Sequence, residues 1–224
     1  MQDNGQFAAL YLAFARTLTE TNGIKGKAAI REAVRGYGKR LGQLKREQML
    51  QSGYKPNLRF IMDKNWGVPC GRGAVREWLC REEEELFVNI LSCPMAAVWE
   101  TEPLLGQMYC EEFYPAYVKA AVSEKAQINL GKTLLNEGDE FCRLSVYLRP
   151  ANLCEKERRE LFPKFDAAFC NDDKKPLPEL TEEVRCRLFL EAARAACEAT
   201  GTDAAFLHGY DNYEGEQKSG RYCL

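Results

Sequence analysis

Three cysteines lie at strand ends and helix starts, where side chains often converge in folded proteins. Cys93 ends a predicted strand just before a helix, Cys110 lies within the next helical segment, and Cys142 lies on the more apolar face of the last predicted strand. A cysteine near a helix N-terminus is a better nucleophile, because the helix dipole lowers the pKa of its thiol. Three thiolates would also hold a soft metal ion such as Zn²⁺, with a carboxylate or water as fourth ligand. Most free cysteines are small buried hydrophobic residues, so a nucleophile, a metal site and core packing all stay open.

The single histidine, His208, excludes several other chemistries. One chain with one histidine cannot build an HExxH zinc site or any metal site of two or more histidines. A catalytic triad would have to use His208 or borrow a residue from another subunit. The nucleotide fingerprints GxGxxG and GxxxxGK[ST] are absent. The 31 basic and 33 acidic residues give a net charge of −2, so we expect no nucleic-acid partner and no anionic membrane partner.

The ten cysteines are widely spaced and include no CxxC pair. The first ten residues contain no basic stretch before an apolar run, so no signal peptide is expected. No apolar stretch reaches about 18 residues, so no membrane span is expected either. Together these features predict reduced thiols in a cytoplasmic protein.

Two helices are predicted at the N-terminal end. Residues 5–21 are rich in Ala and Leu and stop near Gly23, and residues 26–51 carry the clearest helical periodicity. Glycine costs about 1 kcal/mol relative to alanine inside a helix. Gly36, Gly38 and Gly42 therefore indicate that another element packs closely against the second helix.

The opposite face of that second helix is basic. This pattern is typical of a solvated helix face, but it also fits an anion site or an arginine that turns inward. The residues of this face are Arg31, Arg35, Lys39, Arg40, Lys45 and Arg46.

Two β-hairpins follow, joined by a helix. The first pairs residues 75–80 with 85–93, and the second pairs 125–135 with 140–149 around a turn at 136–139. The intervening residues 95–121 have a helical pattern, with interruptions at Pro103 and near Pro115. Residues 56–64 are predicted as a short helix, 150–180 as mostly loop, and 180–200 as a helix ended by Gly201.

The order of these elements predicts the fold class. We expect one α+β domain over residues 1–224, with N-terminal helices packed on a small antiparallel sheet of two hairpins joined by a helix, and a C-terminal helix.

Two segments carry a family resemblance. LSCPMAAVWETEPLLGQMYCEEFYPAYV and INLGKTLLNEGDEFCRLSVYL resemble the L-2-amino-thiazoline-4-carboxylic acid hydrolase family. The family pattern has a cysteine after the second strand, a glycine and a cysteine on the next helix, and a late Gly-x-x-x-Cys. The matching residues are Cys93, then Gly106 and Cys110, then Gly138 and Cys142, with Arg35 and Gly38 upstream in VRGYGKRLG. The resemblance covers about residues 28–150 and leaves 151–224 as a C-terminal helical extension.

The resemblance implies a bacterial hydrolase acting on the C–N bonds of a cyclic amidine. It would open L-2-amino-thiazoline-4-carboxylate to N-carbamoyl-L-cysteine. A cation would clamp the substrate carboxylate, a carboxylate would hold the amidinium and activate water, and either a thiolate or a metal-bound hydroxide would attack the central carbon. The implied catalytic candidates are Cys93, Cys110, Cys142, Glu111 and Asp139, with Glu112 as a further carboxylate. The implied substrate-binding candidates are Arg35, Arg143, Tyr114 and Trp99.

Each candidate also has an ordinary structural interpretation. Glu111 fits a solvated helix face, Asp139 fits a turn after Gly138, and the aromatic candidates Tyr114 and Trp99 fit core packing. His208 lies outside the matched segments, and we do not expect it to be catalytic.

A second hypothesis is a non-catalytic small-molecule or metal-sensing module, because vinyl-reductase-type domains have a similar cysteine-bearing layout. An enzyme should place an acid and an arginine inside the cysteine-lined pocket, whereas a sensor pocket would be wholly apolar or would enclose a metal. On either hypothesis the partner is a small molecule. The sequence requires no cofactor, and it leaves open a cysteine-bound divalent metal and a homo-oligomer.

Overall fold

The computed structural model describes residues 5–62, 73–169, 174–203 and Phe206. His208 lies outside these residues. The elements, in chain order, are α1 (Gly5–Gln51), β1 (Val75–Arg81), β2 (Glu85–Ser92), α2 (Pro94–Trp99), α3 (Pro103–Ala121), β3 (Gln127–Leu130), β4 (Cys142–Tyr147), α4 (Glu155–Leu161) and α5 (Glu182–Thr200). Short 3₁₀ helices lie at Leu58–Phe60, Pro150–Asn152 and Pro163–Phe165. Among the described helices, none is both long enough and apolar enough to cross a membrane.

A sharp break at Gly23 divides α1 into two arms. Gly23 has φ 54° and ψ −121°, a conformation that side-chain-bearing residues rarely adopt. Just beyond it, a Cβ atom on Gly26 would lie 1.8 Å from the carbonyl oxygen of Leu18, so the arms meet too closely for any other residue. The two helices predicted over 5–21 and 26–51 are therefore confirmed as the arms of one kinked helix.

The N-terminal arm of α1 lies in the centre of the molecule. Every residue from Phe7 to Ala15 is at most 3% exposed, as expected for a helix that is apolar on all sides. Aromatic rings from α3 and α5 surround it, including Tyr109, whose ring centroid is 5.0 Å from that of Tyr11, and Phe189, at 5.9 Å. The C-terminal helix α5 thus contributes to the same core as the region that carries the family resemblance.

The four strands form one antiparallel sheet in the order β1-β2-β4-β3. Its inner face is apolar and buried, and on this face Cys142 of β4 lies opposite Ile90 of β2. Its other face carries polar residues, with Arg143 opposite Asn89. The predicted α+β fold is confirmed, and so is the position of Cys142 on the apolar face.

Three predicted elements differ in detail. The helix expected over 56–64 is a 3₁₀ helix at Leu58–Phe60, and residues 63 and 64 lie outside the described part. The second hairpin is shorter than predicted, because its strands end at Leu130 and resume at Cys142. The intervening residues 131–141 form a loop closed by its own hydrogen bonds. Within the loop-rich region 150–180 the chain also forms the short helix α4.

The helix over 95–121 is interrupted before Pro103, as predicted, but not near Pro115, which lies inside α3. Proline removes one backbone N–H from the helix and crowds the carbonyl four residues earlier. Aromatic packing on both sides of Pro115 favours the continuous helix. The ring of Phe113 stacks on those of Tyr109 and Tyr117, with centroid distances of 5.1 and 5.4 Å.

Helices α1 and α3 make an unusually close contact. A Cβ atom on Gly42 would lie 2.4 Å from the carbonyl oxygen of Tyr117 and 2.8 Å from the Cβ of Ala120. A Cβ on Gly38 would lie 3.0 Å from the carbonyl oxygen of Phe113. Close packing, expected from the cost of glycine inside a helix, is confirmed for Gly38 and Gly42. At Gly36 an added Cβ would meet only the Cβ of Ala192, at an ordinary contact distance of 3.4 Å.

The close contact between α1 and α3 predicts the effect of adding one methyl group at Gly42. Gly42→Ala should lower the free energy of unfolding by about 2 kcal/mol, because overpacking against the α3 backbone outweighs the gain in helix propensity. Urea unfolding followed by tryptophan fluorescence measures the change. Gly36→Ala is the matched control, since its added Cβ would meet only the Cβ of Ala192 at 3.4 Å. Equal stability of Gly42→Ala and the wild type would contradict the packing described.

Candidate functional site

A cavity of about 170 Å³ lies between α3 and the ends of strands β3 and β4. Its floor is apolar and comes from the sheet, through Ile90, Leu130 and Leu144. The remaining wall residues are mostly polar. They are Gln107, Cys110, Glu111 and Tyr114 from α3, Gly131, Lys132, Thr133 and Asn136 from the loop, and Cys142 and Arg143 from β4. Two thiols, a carboxylate and two cations therefore line one small cavity.

The helical wall follows from the spacing of its residues. Gln107, Cys110, Glu111 and Tyr114 are separated by three, one and three positions, which places them on one face of a helix. Tyr109, Phe113 and Tyr117 occupy a different face, which packs into the aromatic core. One helix therefore contributes both to the core and to the cavity.

The loop 131–141 forms the opposite wall and is held by Asp139. One oxygen of its carboxylate accepts hydrogen bonds from the backbone N–H of Thr133 and the side-chain amide of Asn136, both at 3.2 Å. Lys132 lies 3.7 Å from the other oxygen. These bonds, with that from Thr133 the largest contribution, lower the pKa of Asp139 below its ordinary value of 3.8. Gly138, with φ 83°, supplies the turn that precedes Asp139.

Helix α3 also fixes this loop directly. The side-chain amide of Gln107 donates to the Asn136 side-chain oxygen at 2.6 Å and to the Leu135 carbonyl at 3.3 Å. The position of the loop relative to the helical wall is therefore set by hydrogen bonds across the cavity's edge.

Cys142 is hydrogen-bonded on the loop side of the cavity. Its sulfur accepts from the backbone N–H of Leu134 at 3.2 Å, and its thiol donates to Oγ1 of Thr133 at 3.8 Å. A hydrogen-bond donor aimed at a sulfur stabilises negative charge on it. Cys110 lines the same cavity from the helical side, and both cysteines are partly buried and form no disulfide.

Opposite charges meet at this cavity. The side chain of Glu111 is 58% exposed and lies 3.8 Å from Arg31. Arg143 is exposed, donates from Nε to the Asn89 side-chain oxygen at 3.1 Å, and lies over the ring of Phe141. A bound molecule would therefore meet an acid on one side and a guanidinium on another.

Several predicted site residues lie elsewhere. Cys93 precedes α2 as its N-cap residue and is not part of the cavity lining. Trp99 is 1% exposed, and its indole donates to the Ala8 carbonyl at 3.0 Å, so it belongs to the core. Asp139 holds the loop rather than lining the cavity. Of the nine candidates, the structure brings together Cys110, Glu111, Tyr114, Cys142 and Arg143.

Arg35 takes part in an ion cluster between α1 and α3. The Glu112 carboxylate, 9% exposed, accepts from Nη1 of Arg31 and from Nε of Arg35, each at 2.5 Å. The hydrogen bond to Glu112 raises the pKa of Arg35. The side chains of Arg31 and Arg35 are 42% and 47% exposed, so these two arginines lie at the surface of α1 and pair there with a buried protein carboxylate.

The described part of the chain offers no cluster of three metal-binding side chains. Since Cys93 is not in the lining shared by Cys110 and Cys142, the geometry does not support a three-thiolate metal site. A two-thiolate arrangement lacks the ligand number of a closed structural zinc site.

Sequence reasoning missed several residues at this site. Gln107 had a usable signal, because it lies three residues before Cys110 on the same helical face. Lys132 and Thr133 lie in a segment predicted as strand, and nothing local indicates that they turn into a cavity wall. Asn89 also lies in a segment predicted as strand, and nothing in the alternation of that strand indicates its contact with Arg143.

Comparison of the chain with models of protein families, with curated proteins and with solved structures gives no match. The resemblance to the hydrolase family therefore stays a prediction. The function proposed below rests on the geometry of the cavity.

The loop geometry predicts a pH-dependent stability. Because the pKa of Asp139 is lowered in the folded protein, its contribution is present above pH 3.8 and is lost as the pH falls through its folded pKa. Asp139→Asn should be less stable than the wild type at neutral pH, and the difference should shrink below pH 3.8.

Urea unfolding at a series of pH values measures this difference. Glu137→Gln, which removes an exposed carboxylate from the same loop, is the control and should follow the wild type. A difference between Asp139→Asn and the wild type that is unchanged down to pH 2 would show that Asp139 does not act through its charge.

Proposed function

We propose that this protein is a thiol-dependent hydrolase that opens a small cyclic amidine bearing a carboxylate, such as L-2-amino-thiazoline-4-carboxylate. The observation that supports it most directly is the presence of Glu111 and Arg143 in the lining of the cavity that holds Cys110 and Cys142. A sensor of the vinyl-reductase type would be expected to have an apolar pocket or an enclosed metal. The charged lining favours the enzyme.

The size of the cavity suits a small substrate. Its volume of about 170 Å³ lies below the range of about 300–1,000 Å³ typical of pockets for drug-sized ligands. Arg143 and Lys132 would attract the substrate carboxylate, and Glu111 would pair with the amidinium. The apolar floor of Ile90, Leu130 and Leu144 would hold the ring.

In the first chemical step the thiolate of Cys142 attacks the amidine carbon. The Leu134 N–H, 3.2 Å from the sulfur, stabilises that thiolate before attack. The ring bond between the amidine carbon and sulfur then breaks, and the departing sulfur takes a proton from the Cys110 thiol. Because N-carbamoyl-L-cysteine keeps both nitrogens, the bond that opens this ring is C–S rather than C–N. The enzyme then carries a ring-opened isothiourea on Cys142.

In the second step water attacks the isothiourea carbon, and Glu111 accepts the water proton. The bond to Cys142 breaks and returns its thiolate, while the product leaves as N-carbamoyl-L-cysteine. Glu111 passes this proton to Cys110, and the second water proton is released to solvent as the urea carbonyl forms. Glu111 suits this role because its exposed side chain reaches both the cavity and solvent.

The proposed chemistry needs reduced thiols, and neither Cys110 nor Cys142 forms a disulfide. This requirement supports a cytoplasmic location for the enzyme. Its partner is the small-molecule substrate, and the mechanism uses no nucleic acid and no cofactor.

Turnover of L-2-amino-thiazoline-4-carboxylate by the purified, reduced protein tests the proposal. Cys142→Ser should lower kcat by about 10³-fold or more, because the hydroxyl is a much weaker nucleophile than a thiolate. Cys110→Ser should lower it less, and Cys93→Ser should keep wild-type turnover because Cys93 is not part of the cavity lining. Formation of N-carbamoyl-cysteine is followed by chromatography with mass detection.

Two outcomes would contradict the proposal. Loss of turnover on addition of a chelator would favour a metal-bound hydroxide over the thiolate. Substrate binding by calorimetry with no product from any folded variant would favour the sensing module.

A further inference from the structure

A hydrogen-bonded chain of three residues crosses the outer face of the sheet and ends at the cavity. Asn89 of β2 lies between Glu77 of β1 and Arg143 of β4, directly opposite both in the strand register. Its side-chain amide donates to Oε2 of Glu77 at 2.7 Å, and its side-chain oxygen accepts from Nε of Arg143 at 3.1 Å. Asn89 is only 6% exposed, whereas Glu77 and Arg143 are exposed, so both contacts are partly buried.

The chemistry of the neighbours fixes the orientation of this amide. A carboxylate only accepts hydrogen bonds and a guanidinium only donates them. A side-chain amide satisfies both at once, with its NH₂ toward Glu77 and its oxygen toward Arg143. A carboxylate at position 89 would face another carboxylate, and an apolar side chain would leave Arg143 without its Nε acceptor.

Other contacts limit the freedom of Arg143 further. Its backbone N–H donates to the Lys132 carbonyl at 3.1 Å, and its carbonyl accepts from the N–H of Gly131 at 2.9 Å. Its aliphatic chain passes over Gly131, where an added Cβ would lie 3.8 Å from the Cβ of Arg143. Its guanidinium carbon lies 5.0 Å from the centre of the Phe141 ring. In addition to these contacts, the hydrogen bond from Nε to Asn89 selects one orientation of the guanidinium.

We propose that Asn89 is a positioning residue, which with Glu77 holds Arg143 beside the cavity and so makes the reaction at Cys142 selective for anionic reactants. The inference rests on the proposed function in taking Arg143 as the group that binds substrate. It goes further in assigning a role to a residue outside the cavity, and it can be tested without the substrate.

The test is the ratio of the rates at which iodoacetate and iodoacetamide alkylate Cys142. The two reagents differ in charge, and mass spectrometry of the tryptic peptide 133–143, whose one cysteine is Cys142, gives both rates. A fixed positive charge nearby favours the anionic reagent. Asn89→Leu should lower the ratio about threefold, the effect expected of moving one unit charge away by several ångströms in near-aqueous surroundings.

The two separate rates distinguish positioning from loss of structure. A loosened fold raises the rate with neutral iodoacetamide, whereas a displaced guanidinium leaves that rate at its wild-type value and lowers the rate with iodoacetate. Asn89→Gln should restore most of the ratio, because the longer amide keeps a donor and an acceptor. Ser145→Ala is the matched control, since Ser145 is a buried polar residue of β4, two positions from Arg143, and should keep the wild-type ratio. Should Asn89→Leu not fold, Asn89→Ser removes the same contact with a smaller side chain.

An unchanged ratio in a folded Asn89 variant would overturn the inference, as would an equal fall in Ser145→Ala. If the wild type turns over the amidine, Asn89→Leu should also raise KM with little change in kcat, and a fall confined to kcat would contradict the role. A lowered ratio in a protein that hydrolyses nothing would support the positioning role and reject the hydrolase.

Discussion

The contact between α1 and α3 sets the position of the helical wall of the cavity. Gly38 and Gly42 let the backbones of the two helices approach so closely that no side chain fits between them. Because α3 is held against α1 at these two glycines, the aromatic residues on one face of α3 enter the core around the N-terminal arm of α1. A second face, which begins at Gln107 and ends at Tyr114, is then directed toward the sheet. The cavity is the space that remains between this face and the strand ends.

Charge pairing reinforces the same contact. Two adjacent glutamates of α3 have different surroundings, because they point in different directions from the helix. Glu112 is buried and accepts a hydrogen bond from each of Arg31 and Arg35. Losing it would remove the counter-charge that the two arginines share, and would leave Arg35 paired with Glu32 alone. Glu111 is exposed at the cavity and keeps only a longer contact to Arg31. The two residues are of one type, but their surroundings differ. Glu112 has a structural role, and we propose a chemical role for Glu111.

Periodicity and turn residues were enough to predict the order of the four strands and the longer helices, but not the short helix α4. The α+β class, both hairpins, the inward face of Cys142 and the close packing at the α1 glycines all follow from local patterns. The hydrogen-bond and ion-pair partners of polar side chains do not follow from local patterns, because these partners lie far away in the chain. Arg35 contacts Glu112, 77 positions later, and Trp99 donates to Ala8, 91 positions earlier. The continuous helix at Pro115 was also missed, because proline locally predicts an interruption. Aromatic rings stacked on both sides of it favour the continuous helix.

In the mechanism that we propose, Cys142 attacks the amidine carbon and carries the ring-opened substrate. Rapid-quench mass spectrometry of Glu111→Gln during reaction with L-2-amino-thiazoline-4-carboxylate tests it most directly, because slowing the attack of water should let the intermediate accumulate. The account predicts a peptide 133–143 heavier by the mass of one intact substrate, since the isothiourea retains every substrate atom. Product formation without that added mass at any time, or the added mass on Cys110 instead, would contradict it.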